Sequence, residues 1–205
     1  MYVPPHFAET DLGKLHDFIE RHSFGLLVSQ LAGTPFATHL PFLLERASGP
    51  HGALIGHMAR ANPHWTELAG QPVLAVFSGP HAYISPTWYE SANVVPTWNY
   101  TAVHAYGSVT LLEKGAARDV VARTVSHYES PMPQPWAFDA DSVFADRLLD
   151  QIVGFRLVIE KIEGKMKLNQ NHPAERQEKV ARALRASGGA DEIAVAELMK
   201  AKAEE

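Results

Sequence analysis

The sequence predicts a mainly β fold of the α+β class: a β-barrel with peripheral helices. Three observations carry this expectation. Short apolar runs dominate residues 24–112, bounded by Gly, Pro and Asn turn signals. Helical periodicity lies mostly at the flanks, without the regular strand–helix alternation of a doubly wound parallel fold. Charge is nearly absent from that same segment: of 18 Lys plus Arg and 23 Asp plus Glu, only Glu45, Arg46, Arg60, Glu67 and Glu90 fall within it.

The elements follow in order. Residues 10–22 form an amphipathic helix, with Leu12, Leu15, Phe18 and Ile19 at helical spacing and Thr10 or Asp11 as the cap. Residues 24–31 and 35–45 are strands joined through Ala32-Gly33-Thr34, a hairpin signal. Residues 52–58 form a third strand, and Asn62-Pro63 opens a short helix because Pro is tolerated in a first helical turn. Residues 73–78 and 81–85 are strands on either side of Gly79-Pro80. Residues 98–113 form a long strand, with Val103, Ala105, Gly107, Val109 and Leu111 on one face. The period then turns helical over 116–128. A loop with Pro131, Pro133 and Pro135 leads to a helix at 139–152. A last strand covers 154–162, and two charged helices cover 174–186 and 191–202. Residues 1–172 make one domain, with 173–205 as its helical extension.

Composition excludes several classes. The net charge of −5 is the wrong sign for a dedicated nucleic-acid binder. Cysteine is absent, which removes disulfides, thiolate metal sites and a Cys nucleophile. The start of the chain lacks the basic and apolar regions of a signal peptide, and no apolar run reaches the ~18 residues of a membrane span. A cytoplasmic protein is expected. The charge-poor segment implies something more. Antiparallel strands with a solvated face alternate apolar and polar residues, whereas 37–44 is apolar or weakly polar on both faces. A second subunit is the natural cover, so a homodimer is expected.

Arg60 is the only Lys or Arg between Arg46 and Lys114. A charge in such surroundings needs a partner, which is either Glu67 or a bound anion at the strand–helix junction. Three of the four Trp lie between Asn62 and Asn99, in two Pro-Thr-Trp tripeptides and an Asn-Pro-His-Trp. Such aromatics serve a core or a planar ligand. The 11 His show no metal-ligand spacing. No Gly-x-Gly-x-x-Gly, Walker-type loop or Gly-x-Ser-x-Gly occurs, so a phosphate-bearing ligand would rest on side chains and strand-end amides.

Five motifs carry a family resemblance: Ala37-Thr38-His39-Leu40-Pro41-Phe42, Gly56-His57-Met58-Ala59-Arg60-Ala61-Asn62-Pro63, Gly79-Pro80-His81-Ala82-Tyr83-Ile84-Ser85-Pro86, Val95-Pro96-Thr97-Trp98-Asn99-Tyr100 and Gly164-Lys165-Met166-Lys167-Leu168-Asn169-Gln170-Asn171. Together they resemble the PaiB-type family of FMN-binding negative transcriptional regulators over nearly the whole chain. Asn169 departs from the Ser usual in that family. The resemblance implies a split β-barrel similar to pyridoxine phosphate oxidase, a homodimer with FMN at the subunit interface. It implies that Thr38, His39, Leu40 and Pro41 lie along the flavin or its ribityl chain, followed by Gly56 and His57. Arg60, Ala61 and Asn62 would approach the phosphate. Trp98, Asn99 and Thr101 would reach in from the long strand, and Lys167 and Gln170 from the C-terminal segment.

Three functions remain open on the sequence. One is an FMN-binding repressor. Another is a flavin-dependent oxidoreductase whose substrate stacks near Trp88 or Trp98. The third is an interaction protein that has lost its cofactor. No catalytic residue is assigned by spacing. The repressor reading meets a physical difficulty. The helix at 191–202 and its tail carry Asp191, Glu192, Glu197, Glu204 and Glu205 against Lys200 and Lys202, a surface that repels phosphates. Regulation is therefore expected to be indirect.

Overall fold

The structure is a computed structural model that describes residues 1–204; Glu205, the last acid of the tail, lies outside the described residues. Strands β1 (Ala8–Glu9), β2 (Phe24–Leu31), β3 (Thr34–Pro41), β4 (Leu43–Glu45), β5 (Ala53–Ala59), β6 (Pro72–Ile84), β7 (Thr97–Leu111) and β8 (Ile152–Lys167) form one sheet. Its order is β3-β2-β6-β7-β8-β5-β4, with β1 added antiparallel to β8. The helices are α1 (Leu12–Arg21), α2 (Lys114–Glu129), α3 (Val143–Leu149), α4 (Ala174–Ser187) and α5 (Ala190–Ala203).

Four elements differ from the sequence expectation. The run 35–45 is two strands because the chain changes partner at Phe42: β3 pairs with β2 and β4 with β5. Phe42 turns inward there, 1% exposed, and its N–H donates to the Ser23 carbonyl at 2.9 Å. Gly79-Pro80 does not break β6, since proline's φ suits extended backbone. Glycine at 79 is required on steric grounds, because a Cβ there would strike the Thr101 hydroxyl. The helix at 139–152 shrinks to α3, which begins where Ser142 Oγ accepts the Ala145 N–H at 3.1 Å. β8 runs on to Lys167, its apolar pattern masked by Glu160, Lys161, Glu163, Lys165 and Lys167.

The chain divides into two compact units, with boundaries inside α1, β6, β7 and β8. One comprises Ile19–Phe77 and His104–Ile162. Its core holds Phe42 edge-on to both Phe77 and Phe155, with ring centroids 5.5 and 6.0 Å apart. The other comprises Met1–Phe18, Ser78–Val103 and the chain from Glu163 on. There α4 and α5 contribute Val180, Leu184, Val195, Ala196 and Met199 to a core with Ile84, Tyr89 and Leu168. Trp88 packs against this core.

Candidate functional site

The five charges of the sparse segment are all engaged. Glu45 pairs with Arg123 and Arg156, Arg46 with Glu20, and Glu90 with Lys179. The Glu67 carboxylate accepts the Ala32 N–H at 3.1 Å. Arg60 donates from Nε to the Asp150 carbonyl and from Nη2 to that of Ile152, both at 2.8 Å. The Trp65 ring lies 5.8 Å from its guanidinium carbon. The Arg60–Glu67 ion pair weighed on the sequence therefore does not form. Two carbonyls hold the guanidinium, and Nη1 has no hydrogen bond among the described residues.

In the unit Ile19–Phe77 with His104–Ile162, Thr38 and Asn62 come together. The residue that joins them is His64, which sequence reasoning passed over. Asn62 Oδ1 accepts the His64 backbone N–H at 3.0 Å, capping the 3₁₀ turn Pro63–Glu67. Asn62 Nδ2 donates to Thr38 Oγ1 at 3.1 Å. Thr38 Oγ1 lies 2.8 Å from His64 Nδ1, and Ser29 Oγ lies 2.7 Å from His64 Nε2. His64 is fully buried, with the Phe36 ring 4.9 Å away. The signal available in the sequence was Asn two residues before a His, across a Pro that starts a turn.

The other predicted residues of this unit spread along β3 and β5. His39 is exposed, 6.2 Å from the Phe24 ring; Leu40 is buried and Pro41 half-buried. A Cβ at Gly56 would lie 2.9 Å from the Phe155 ring and 3.2 Å from the Pro41 carbonyl, so β5 needs glycine there. His57 Nδ1 is buried without a partner. Ala61 is exposed.

The second unit holds Trp98, Asn99, Thr101, Lys167 and Gln170. Trp98 is 53% exposed beside Tyr83 and His81. Asn99 is fully buried, its Nδ2 3.5 Å from Met199 Sδ and its Oδ1 unpartnered. The Thr101 hydroxyl, also unpartnered, lies against Gly79. Lys167 donates to the Thr97 hydroxyl. Gln170 is spent locally, bonding the Met166 carbonyl and the Leu168 N–H. Asn169 adopts φ 65°, a left-handed conformation that Asn tolerates better than most residues. Its side chain meets the Tyr89 hydroxyl at 3.1 Å. Lys165, only 7% exposed, was also missed: it donates to the Tyr2 carbonyl and lies 5.1 Å from the Tyr100 ring. Burial, with the Lys165 charge second, holds Lys167 below the ordinary lysine value.

Burial also holds His57 and His64 below the ordinary histidine value of 6.5, and His22 and His172 likewise, with neighbouring cations adding to it. The unfolded chain then binds more protons than the folded one as pH falls through that value. Stability should therefore be full above about pH 7 and decline as pH falls below about 6.5. Thermal melts between pH 7.5 and 5.0 test this, with His64→Gln giving a shallower slope. A melting temperature that rises on acidification contradicts it.

The sheet order and its peripheral helices define a split-barrel protein. A family model described as "Putative FMN-binding domain" matches residues 1–161. The chain is 40% identical over 173 residues to the protease synthase and sporulation protein PAI 2 of Bacillus subtilis, covering 83% of each. It is 29% identical over 222 residues to an uncharacterized protein of Aspergillus fumigatus, covering 83% of this chain and 85% of that one. The chain belongs to the PaiB-type FMN-binding domain family. Among solved structures, the flavocytochrome Anf3 of Azotobacter vinelandii superposes with TM-score 0.60 at 15% identity, covering 80% of this chain and 72% of that one. An FAD and heme binding protein of Mycobacterium smegmatis gives 0.59 at 14%, covering 89% and 80%. These likenesses show the split-barrel fold. Among the described residues no helix is long and apolar enough to cross a membrane, and no cluster of metal-binding side chains occurs.

Four buried side-chain atoms lack a hydrogen-bond partner among the described residues: His57 Nδ1, Asn99 Oδ1, Thr101 Oγ1 and Arg118 Nε. His57 belongs to one unit and Asn99 and Thr101 to the other, and each is a residue that the family resemblance implies for the cofactor. Buried polar atoms are rarely left unpaired without a reason.

Proposed function

We propose that the protein binds FMN, rather than FAD, as a homodimer with the cofactor at the subunit interface, and acts as a PaiB-type negative regulator of transcription by an indirect route. What supports the flavin reading is the match of residues 1–161 to the putative FMN-binding domain model; within the unit Ile19–Phe77 with His104–Ile162, the buried His57 Nδ1, without a partner among the described residues, agrees with it. The ligand would supply redox chemistry or a redox-sensitive conformation. Arg60, anchored by two carbonyls, offers Nη1 to the phosphate, and His57 adds a donor beside it. Lys167 supports negative charge on the pyrimidine ring when the flavin is reduced.

Arg60→Ala should weaken FMN binding about 10- to 100-fold, the range for hydrogen bonds to a charged group. Riboflavin, lacking the phosphate, should bind the variant and the wild type alike. Fluorescence titration of the apoprotein reads both. Equal affinity of Arg60→Ala and wild type for FMN removes Arg60 from the phosphate.

The indirect route rests on α5. Its inner face is occupied by Val195, Ala196 and Met199, and Asp191 and Glu197 on its exposed side pair with His81 and Arg185. An acidic helix with a committed face makes a poor major-groove reader. Purified protein should show no salt-sensitive complex with promoter DNA in a mobility-shift titration; a tight one overturns the indirect route. The exposed Trp98 ring favours one further reading, a planar small molecule stacked there as the substrate of an oxidoreductase.

A further inference from the structure

The hydrogen-bond chain through His64 takes its polarity from the imidazole tautomer. Ser29 Oγ has one hydrogen and gives it to the Gln30 carbonyl, at 3.4 Å. With that hydrogen so placed it accepts from His64 Nε2, 2.7 Å away, the tautomer on which the proposal below rests. A neutral imidazole with its proton on Nε2 carries a lone pair on Nδ1. In that tautomer the Thr38 hydroxyl, 2.8 Å from Nδ1, supplies its only hydrogen there. Its oxygen accepts from Asn62 Nδ2 at 3.1 Å, and the Asn62 amide is oriented by its Oδ1, which takes the His64 N–H. Each partner keeps one unused position. Thr38 keeps a lone pair, and Asn62 keeps its second N–H. Both residues are only half-buried. No charged side chain lies on β2 or β3, where His39 is the only titratable group. On the 3₁₀ turn the only acid is Glu67, which is bonded to Ala32.

An acceptor beside a donor is the wrong pattern for a phosphate, which offers acceptors alone and would meet the Thr38 lone pair with its own. It is the complement of an imide edge, an N–H next to a C=O. We propose that Thr38 and Asn62 read the imide edge of the flavin pyrimidine ring, with buried His64 as the positioning residue that fixes their polarity. This rests on the flavin reading above. It assigns Asn62 to the ring, where the resemblance implies the phosphate.

The test titrates apoprotein with FMN, riboflavin and N3-methylriboflavin, which lacks the imide N–H. Wild type should bind N3-methylriboflavin about tenfold more weakly than riboflavin, the size of one hydrogen bond. Thr38→Val should weaken FMN and riboflavin by one common factor and should no longer distinguish riboflavin from its N3-methyl form. Thr38→Ser, which keeps the hydroxyl, should restore the distinction, and circular dichroism confirms that each variant folds. A merely structural Thr38 would leave that distinction intact, and this result overturns the proposal. So does a loss by Thr38→Val confined to FMN, which would place the pair at the phosphate. Folded wild type that binds neither FMN nor riboflavin defeats the flavin reading itself and this inference with it. Independently of any ligand, imidazole nitrogen shifts of the apoprotein should show His64 as the neutral Nε2–H form; the Nδ1–H form overturns the assigned polarity.

Discussion

Gly107→Ala is expected to destabilise the protein by at least about 3 kcal/mol, the upper end of ordinary overpacking. Gly107 lies in β7, and a Cβ there would collide with the Val158 carbonyl oxygen of β8, with the Val158 carbonyl carbon 2.9 Å away. The obstacle is backbone, so no side-chain rotamer relieves it, and β7 and β8 would have to separate. For a chain of this size the melting temperature should fall by about 6–12 °C. Gly115→Ala is the control: nothing lies within 4 Å of a Cβ at that position of α2. Ala there should be neutral or stabilising by about 0.5–1 kcal/mol. If both variants melt together with wild type, the close approach of β7 and β8 is wrong.

Phe155→Ala should cost about 3–5 kcal/mol, as for other buried aromatic truncations. Phe155 is fully buried in β8, edge-on to Phe42. It also lies directly beneath Gly56, so the ring supports the backbone next to His57. Urea unfolding reads the loss as a shift in midpoint at unchanged slope. Phe155→Leu, which fills more of the space, should lose clearly less. An Ala variant as stable as the Leu variant would mean that the ring does not fill the space beneath Gly56.

The members of the hydrogen-bond cluster around His64 differ in how visible they were in the sequence. Thr38 and Asn62 stand in motifs, and their residue types suit a polar ligand. His64 carries no spacing signal, because its role depends on β2, β3 and the 3₁₀ turn meeting in space. Long strands were legible where alternation was clean, as in β7. They were obscured where charged residues occupy the period, as in the far half of β8, or where Gly and Pro mimic a turn, as in β6. The sparse charge of 24–112 led to the expectation of a second subunit as cover; within the chain the five charges of that segment are all engaged. The Arg60–Glu67 pair, one of the two alternatives open on the sequence, does not form because backbone carbonyls at Asp150 and Ile152, distant in sequence, take the guanidinium. Such partners leave no trace in side-chain types.

The most direct test of the account is the visible spectrum of purified apoprotein titrated with FMN. The protein should give a bound-flavin spectrum, shifted from that of free FMN, saturating at about one flavin per chain, consistent with a site closed to bulk water. A folded, colourless protein whose addition leaves the FMN spectrum unchanged at saturating concentrations would contradict it.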